Sequence, residues 1–297
     1  MDEVIVLSRA ERNERGLTAH RAVPTAPVKL LLSATLALLI ALLVSGGSVA
    51  RTPALGRPAL VGLVRGPTPL KKVSSGLVKS PNWSGYAVVG GTYTSVVGSW
   101  VQPAVSCPTN VQQDAAFWVG IDGYSSGDSD VEQTGTDSDC DKGTKKVAGG
   151  PHYYAWWETA TSSSVSSNTI KHTVEPGDAM TAEVSNSGGS YTLTLIDATE
   201  DWTASEGPLA LSPAPAGSSA EWIAEAPEVC KSAGKCSYTK LADFGSVTFS
   251  SASADGTPLS SFPSSQVAQI DMGKGKKIEA STSSLSNSSF TISWVTD

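Results

Sequence analysis

Short runs rich in Val, Thr, Tyr and Trp recur between residues 84 and 296, and clusters of Gly, Ser, Pro and Asn separate them. The runs are SGYAVVG, TSVVGSWV, AAFWVGID, HYYAWWET, MTAEVS, YTLTLID, AEWIAEA, FGSVTFSSA, VAQIDM and FTISWVT. Such runs are typical of strands, and helical periodicity is almost absent. The segments MTAEVS and YTLTLID, joined by NSGGS, predict a hairpin with Tyr191, Leu193 and Leu195 on one face. Many short strands with polar turns predict an all-β antiparallel sandwich or barrel.

The N-terminal 50 residues have the features of a targeting segment. An apolar run of fifteen residues at 30–44 follows Arg21 and Lys29 and precedes Ser48-Val49-Ala50, a small-x-small cleavage signal. We therefore expect a secreted protein whose N-terminal tail and signal peptide occupy 1–50. The run is shorter than the roughly 20 residues of a membrane span, although an uncleaved signal would leave the protein membrane-anchored.

Charge divides the rest of the chain into two parts. Residues 51–80 contain six basic residues and no acidic one, whereas 81–297 contain ten lysines, no arginine and 24 acidic residues, a formal charge of −14. This contrast predicts a basic propeptide at 51–80 that covers the site of an acidic domain at 81–297 as an intramolecular inhibitor, until acid neutralises the carboxylates. A simple linker is the alternative. The acidic, arginine-free domain argues against nucleic acid as a partner.

The four cysteines all lie in the part that would be exported, which predicts two disulfides. Cys230 and Cys236 can close a small loop, and this leaves Cys107 to pair with Cys140. Zinc is a poor alternative, because no CxxC spacing occurs and His152 has no partner at metal spacing. We expect neither a metal nor a cofactor.

Four of the predicted strands carry one face of ionisable, amide or indole groups, since side chains alternate at period two. A core face should be aliphatic, and an ordinary solvent face rarely needs repeated tryptophan, so the pattern predicts a lined cleft. A sandwich with a concave sheet would let these faces meet. The four faces are Trp118 with Asp122, Gln133 with Asp137, Tyr154 with Trp156 and Glu158, and Glu221 with Glu225.

Five segments, in order and spacing, resemble the glutamic peptidases, or eqolisins, which are secreted acid endopeptidases. They are NWSG at 82–85, WVGIDG at 118–123, QTG at 133–135 with Asp137, AWWE at 155–158, and AEWIAE at 220–225. The resemblance covers nearly all of 81–297. It implies a two-sheet antiparallel sandwich of the lectin and glucanase type, related to the jelly roll, and a monomer acting on polypeptide substrates.

The resemblance also implies residue roles. Gln133 matches the family's catalytic glutamine, and Glu225 matches its catalytic glutamate, because it stands five residues before Cys230. Glu221 is the alternative, roughly 13 Å away along the same strand at about 3.3 Å per residue. Residues that line or support the family's site are matched by Trp118, Asp122, Asp137, Trp156 and Glu158. The chain departs from the family pattern at Tyr154, where an acidic residue is common, and at the polar, acidic segment 124–131.

A glutamate and a glutamine can together hydrolyse a peptide bond if water is the nucleophile. Ionised Glu225 would take a proton from water and pass it to the departing nitrogen, while the Gln133 amide orients the water and stabilises the oxyanion. Burial beside Trp118 and Trp156 would raise the pKa of Glu225, and hydrogen bonds donated to its carboxylate would lower it. A base that acts in acid requires the hydrogen bonds to prevail.

Two carbohydrate functions are alternatives, because carboxylates and tryptophans on a lectin-like sandwich also suit sugars. A glycoside hydrolase would use Glu221 and Glu225 as its acid and nucleophile, although four residues apart on a strand suits this less well than two. A noncatalytic carbohydrate-binding domain would use the tryptophans for stacking. The string GYSSG at 123–127 satisfies the serine-hydrolase pattern, but no helical periodicity follows it, which indicates a loop.

Overall fold

The computed structural model describes residues 71–74, 77–124, 130–145, 148–230 and 236–297, and for Lys71–Ser74 and Cys230 it describes the backbone alone. One short 3-10 turn, Leu259–Ser261, interrupts the β structure, and no described helix is long and apolar enough to cross a membrane. The predicted targeting segment 1–50 and most of 51–80 lie outside the described residues. The strands are β1 (Lys71–Ser74), β2 (Leu77–Ser80), β3 (Trp83–Val89), β4 (Ser95–Val101), β5 (Ala116–Ile121), β6 (Val131–Asp141), β7 (Gly150–Ala160), β8 (Val165–Ile170), β9 (Ala179–Ser187), β10 (Ser190–Asp197), β11 (Trp202–Ala210), β12 (Ser219–Glu225), β13 (Glu228–Cys230), β14 (Cys236–Tyr238), β15 (Ser246–Ala254), β16 (Thr257–Pro258), β17 (Val267–Met272), β18 (Ala280–Thr282) and β19 (Phe290–Trp294).

The first sheet has the strand order β8-β7-β6-β5-β12-β3-β17-β2-β1. All of these neighbours are antiparallel except β17 and β2, which are parallel. Strands β18 and β19 extend this sheet from the end of β17 to the first half of β15. Residues 77–80, at the end of the segment predicted as a basic propeptide, therefore form an ordered strand of the sheet.

The second sheet has the order β15-β4-β9-β10-β11 and is antiparallel throughout. Strand β15 belongs to both sheets, because residues 246–249 pair with β19 and the later residues pair with β4. The register shifts between Ser250 and Ser253, and Ser251 has a φ of +54°. A bulge of this kind bends a strand and lets it pass from one sheet to the other.

The hydrophobic core fills the space between the two sheets, as the alternation of apolar side chains requires. Phe117, Val119 and Ile121 of β5 point into it from the first sheet. Tyr191, Leu193 and Leu195 of β10 are buried in the same core, which confirms the hairpin face predicted from the sequence. The prediction of a two-sheet antiparallel sandwich is therefore confirmed.

The opposite face of the first sheet carries a second, smaller apolar cluster. Because Phe117 and Val119 point inward, Trp118 between them points outward. Its neighbours on this outer face are Trp83, Ala87, Ala116, Tyr154, Trp156, Ile223 and Ile270. The indoles of Trp83 and Trp118 meet edge to face with ring centroids 4.9 Å apart. This face is where the polar side chains of β6, β7 and β12 lie.

Disulfides tie a loop to β6 and include Cys236 of the β13–β14 hairpin. Cys107 is bonded to Cys140 at the end of β6, as predicted. Cys236 is also disulfide-bonded, and the backbone of Cys230 lies directly opposite it in the β13–β14 ladder. That register is the one that the predicted small loop requires.

Candidate active site

The register of four neighbouring strands places the candidate residues in three rows across the outer face of the first sheet. Each row runs from β12 through β5 and β6 to β7, with neighbouring strands about 4.8 Å apart. The first row is Glu221, Gly120, Gln133 and Glu158; the second is Ile223, Trp118, Gly135 and Trp156; the third is Glu225, Ala116, Asp137 and Tyr154. All the residues predicted to act in the site or to line it, except Asp122, thus share one face.

Glu225 ends β12 and is almost completely buried. Its Oε1 accepts a hydrogen bond from Asn82 Nδ2 at 3.0 Å, and its Oε2 accepts one from Trp118 Nε1 at 2.9 Å. The indole N–H of Trp83 lies close by and also favours the carboxylate, although it falls outside hydrogen-bond geometry. The sequence pattern predicted Trp118 in this neighbourhood but gave no separate role to Asn82.

Burial is the largest influence on Glu225 and raises its pKa to about 8. The N–H groups of Trp83, Trp118 and Asn82 lower the pKa, and the charge of Asp137 raises it. A base that acts in acid requires hydrogen bonding to outweigh burial. In this structure burial outweighs hydrogen bonding, because the carboxyl has lost nearly all contact with solvent.

Gln133 is fully buried on β6, and its Nε2 donates to Glu158 Oε1 at 3.1 Å. Burial raises the pKa of Glu158 to about 8; the bond from Gln133 lowers it, and the charges of Glu225 and Asp137 raise it. Glu158 is thus hydrogen-bonded to the glutamine and in electrostatic contact with the glutamate. Among the described residues no donor reaches Gln133 Oε1, which leaves one buried acceptor unsatisfied.

Asp137 holds the second tryptophan of the site. Its Oδ1 accepts from Trp156 Nε1 and its Oδ2 from the Tyr154 hydroxyl, both at 2.6 Å. The same hydroxyl lies 3.1 Å from Asp139 Oδ2, while Asp139 Oδ1 accepts from the Ala115 N–H. Tyr154, which departs from the family pattern, therefore joins two buried carboxyl groups.

Asp137, Tyr154 and Asp139 share protons. The Tyr154 hydroxyl contacts one oxygen of Asp137 and one oxygen of Asp139. Each of these two contacts requires one hydrogen atom. The phenol supplies one, and one of the carboxyls must supply the other. Burial raises the pKa of Asp137 to about 7, and burial together with the charges of Asp137 and Asp114 raises the pKa of Asp139 well above its usual value. Above the pKa of Asp137 the pair therefore keeps one proton, on Asp139, and one negative charge, on Asp137, and at acid pH both carboxyls are protonated.

Asp122 lies apart from the other candidate residues. The sequence pattern placed it on the same face as Trp118, but β5 ends at Ile121 and Asp122 has a φ of +68°, so the alternation stops before it. Its carboxylate accepts hydrogen bonds from the N–H of Gly217 at 2.7 Å and from the Ser218 hydroxyl at 2.8 Å. Asp122 anchors the loop that leads into β12.

The second row can pack closely because its member on β6 is Gly135, which has no side chain. A Cβ on Gly135 would collide with the Phe117 carbonyl oxygen and lie 2.7 Å from Trp118 Cβ. Only glycine lets β5 and β6 pack closely here with an indole beside them. In the first row, Gly120 likewise leaves no side chain between Glu221 and Gln133.

The family-level comparison agrees with this arrangement. The model of the Peptidase A4 family matches residues 81–294, which is most of the chain. The chain belongs to the Peptidase A4 family. Aspergillopepsin-2 of Aspergillus niger is 30% identical over 201 residues, which are 59% of this chain and 64% of that protein. This Peptidase A4 chain therefore spans just under two thirds of that curated relative.

Solved structures share the sandwich of this Peptidase A4 protein. Scytalido-glutamic peptidase, solved with a peptide-based transition state analog, has a TM-score of 0.60 and 24% identity, over 72% of this chain and 98% of that chain. SCP-B, described as a member of the eqolisin family of peptidases in complex with the tripeptide Ala-Ile-His, has a TM-score of 0.55 and 24% identity with the same coverage. The resemblance to the eqolisins and the fold that it implies are confirmed.

Proposed function

We propose that this protein is an endopeptidase that hydrolyses polypeptides with a water molecule activated by Glu225 and Gln133. Family membership supports peptide hydrolysis as the reaction class. The observation that carries the residue assignment is the linkage through Glu158, which accepts a bond from Gln133 and interacts electrostatically with Glu225 on the same sheet face. The unsatisfied Gln133 Oε1 adds an acceptor that a water molecule can use.

The proposed reaction needs no covalent intermediate. The Glu225 carboxylate removes a proton from water as the water oxygen attacks the peptide carbonyl carbon. A Gln133 N–H donates to the oxygen that becomes negative, since one of its two amide hydrogens is not used by Glu158. Glu225 then returns the proton to the amide nitrogen as the carbon–nitrogen bond breaks, which yields a carboxyl and an amine product.

We propose that the enzyme works in acid. At acid pH Asp137 and Glu158 hold protons, because burial has raised their pKa values to about 7 and about 8. Few like charges then oppose the ionisation of Glu225, whose N–H partners stabilise its carboxylate. Entry of substrate and water would reduce the burial of Glu225 and so lower its pKa toward the working range.

The test is hydrolysis of denatured casein from pH 2 to pH 8 by purified protein and its variants. Glu225→Gln should lose at least a hundredfold in activity, the usual contribution of a general base. Gln133→Ala should lose roughly a hundredfold or more, the cost of one oxyanion donor. Glu221→Gln tests the alternative glutamate on the same strand, and Glu183→Gln on the exposed surface is the control. Near-native activity of a folded Glu225→Gln variant would overturn the assignment, and a loss confined to Glu221→Gln would move the role there.

Peptidase A4 membership favours this function over the two carbohydrate alternatives. Retaining and inverting glycosidases place their carboxyls roughly 5 to 9.5 Å apart. Glu221 and Glu225 are four residues apart on one strand, which corresponds to roughly 13 Å. Release of reducing sugar from a glucan without cleavage of casein would reverse this preference.

We further propose that residues 1–50 direct export, that the basic segment 51–80 acts as an intramolecular inhibitor, and that the mature enzyme is a monomer. The charge contrast between that segment and the acidic domain supports the inhibitory role. N-terminal sequencing of protein from the culture medium, and activity before and after an acid pulse, test export and activation. Sedimentation at micromolar concentration tests the monomer.

A further inference from the structure

Ser80 and Asn82 connect the edge of the first sheet to Glu225. Ser80 is the last residue of β2 and is fully buried, and Asn82 is nearly so. The Ser80 carbonyl accepts from the Gly273 N–H at 2.8 Å, which ties this position to the end of β17. The function proposed above uses the Asn82 N–H as a partner of Glu225 but gives Ser80 no role.

The hydrogen bonds of these two residues have a defined direction. Ser80 Oγ lies 3.0 Å from the Trp83 N–H and 3.3 Å from the Asn82 N–H, so the hydroxyl oxygen accepts from the backbone. Its hydrogen is then free to donate to Asn82 Oδ1 at 3.3 Å. Because that end of the amide is the acceptor, the other end, Nδ2, points at Glu225 Oε1 as a donor.

This direction matters for the protonation of Glu225. An amide with its N–H toward the carboxyl stabilises the carboxylate, whereas a reversed amide would place two acceptors together unless Glu225 were protonated. We propose that Ser80 and Asn82 form a positioning relay that holds the Asn82 amide with its N–H toward Glu225 and thereby favours the ionised base. The relay rests on the proposed function of Glu225.

Other titratable groups also face Glu225 and influence its pKa. Asp137 of β6 and Glu158 of β7 interact with it electrostatically, and Glu221 lies on its own strand. The hydrogen bonds of Ser80 in the described part of the chain join it to the backbone of 82–83, to the Asn82 amide and to Gly273, and none of them joins it to these carboxyls. A variant of Ser80 therefore changes the relay without removing a charge from the cluster.

The relay also restricts where the N-terminus of the active enzyme can lie. Ser80 lies at the end of the segment 51–80 that was predicted as a propeptide, and β2 pairs with β17 over Leu77–Ser80. An active enzyme that uses the relay must keep Ser80. We therefore expect the N-terminus of the active form to lie before Ser80, even where the leader is removed.

The experiment compares Ser80→Ala, Ser80→Thr and Asn82→Ala in the full chain with Ser84→Ala as control. Ser84 is equally buried, but its hydroxyl contacts Thr282 and the Ile270 carbonyl instead of the cluster. The readouts are kcat/KM against pH and the pKa of Glu225 measured by infrared difference spectroscopy, with the signal assigned by Glu225→Gln. Loss of a hydrogen bond to a charged group corresponds to a shift of about one to two pH units.

We expect the acid limb of kcat/KM and the pKa of Glu225 to move up by about one unit or more in Asn82→Ala, and by less in Ser80→Ala. Ser80→Thr, which keeps a hydroxyl, should restore the wild-type profile, and Ser84→Ala should leave it in place. An equal loss of activity at every pH, with the spectroscopic pKa unchanged, would overturn the relay. So would an active form whose N-terminus is Pro81 or later.

Failure of the relay and failure of the proposed function can be told apart. If Glu225→Gln abolishes hydrolysis while Asn82→Ala leaves the pKa of Glu225 in place, Glu225 is the base and the relay is wrong. If Glu225→Gln remains active, the proposed function is wrong, and the spectroscopic pKa alone decides whether Asn82 acts on Glu225.

Discussion

The carboxyl of Glu158 keeps its proton far above the pH at which an exposed glutamate ionises, so stability should fall as pH rises. Burial raises its pKa from 4.5 to about 8. Between these values the folded protein binds a proton that the unfolded chain has released. Because the unfolded state binds fewer protons there, the free energy of unfolding decreases with pH. The contribution is fully favourable below pH 4.5 and is lost as the pH approaches 8.

The size of the effect follows from the shift in pKa. One titrating group contributes about 1.4 kcal/mol per pH unit over the window in which its protonation differs between the two states. Over the window from 4.5 to about 8 this amounts to roughly 5 kcal/mol for Glu158. A typical domain has about 5 to 15 kcal/mol of total stability, so one carboxyl has a large effect.

Glu158→Gln isolates this contribution, because its amide oxygen can still accept from Gln133 Nε2 and cannot ionise. All proteins should carry Glu225→Gln, which prevents self-digestion and removes the strongest coupled neighbour. Urea unfolding from pH 4.5 to pH 8 then gives the free energy of unfolding at each pH. Glu183→Gln, on the exposed face of β9, is the control for loss of an ordinary glutamate.

We expect the slope of stability against pH to become less negative by about 1.4 kcal/mol per pH unit in Glu158→Gln and to stay unchanged in Glu183→Gln. Equal slopes in all three proteins would refute the reasoning, because they would show that Glu158 ionises alike in the folded and unfolded states.

Three other perturbations have definite expected outcomes. Asp139→Asn supplies a permanent donor to Tyr154 and removes the second ionisation of the pair, so stability in urea at pH 8 should rise; a decrease would contradict the hydrogen count. Gly135→Ala should destabilise by several kcal/mol or abolish folding, whereas Gly188→Ala, with open space but a φ of +61°, should cost about 1 kcal/mol by urea unfolding. Replacing Cys107 and Cys140 by alanine opens a loop of 33 residues and should lower the free energy of unfolding by about 3 to 4 kcal/mol, with no change expected if the bond were absent.

Much of the site could be predicted from period-two alternation alone. Gln133, Glu158 and Glu225 share a face because each occupies the same phase of the side-chain alternation in its own strand. The same rule failed at Asp122, since alternation holds only while the backbone stays extended and β5 ends one residue earlier. Strand ends depend on turn geometry and tertiary contacts, which a local pattern does not contain.

The partners of the charged groups were harder to predict. Asn82 stands in the NWSG segment that carried the family resemblance, yet its contact with Glu225 joins residues 143 positions apart. The pairing of Tyr154 with Asp139 likewise depends on the β6–β7 register, where Tyr154 lies opposite Asp137. A face can be derived from one strand, but a hydrogen bond across the face requires the order of strands in the sheet.

The balance between burial and hydrogen bonding indicates which of the two carboxyls, Glu158 or Glu225, ionises first. Glu158 accepts one N–H, from Gln133, whereas Glu225 accepts from both Asn82 and Trp118. The pKa of each carboxyl is nevertheless raised to about 8, so burial opposes the charge on Glu225 at least as strongly as the charge on Glu158. When water enters and burial decreases, the carboxyl with more donors gains more from ionising, because each charge-assisted bond is worth about 1.5 to 3 kcal/mol. Glu225 should therefore become the base while Glu158 keeps its proton, and the relay from Ser80 enlarges that difference.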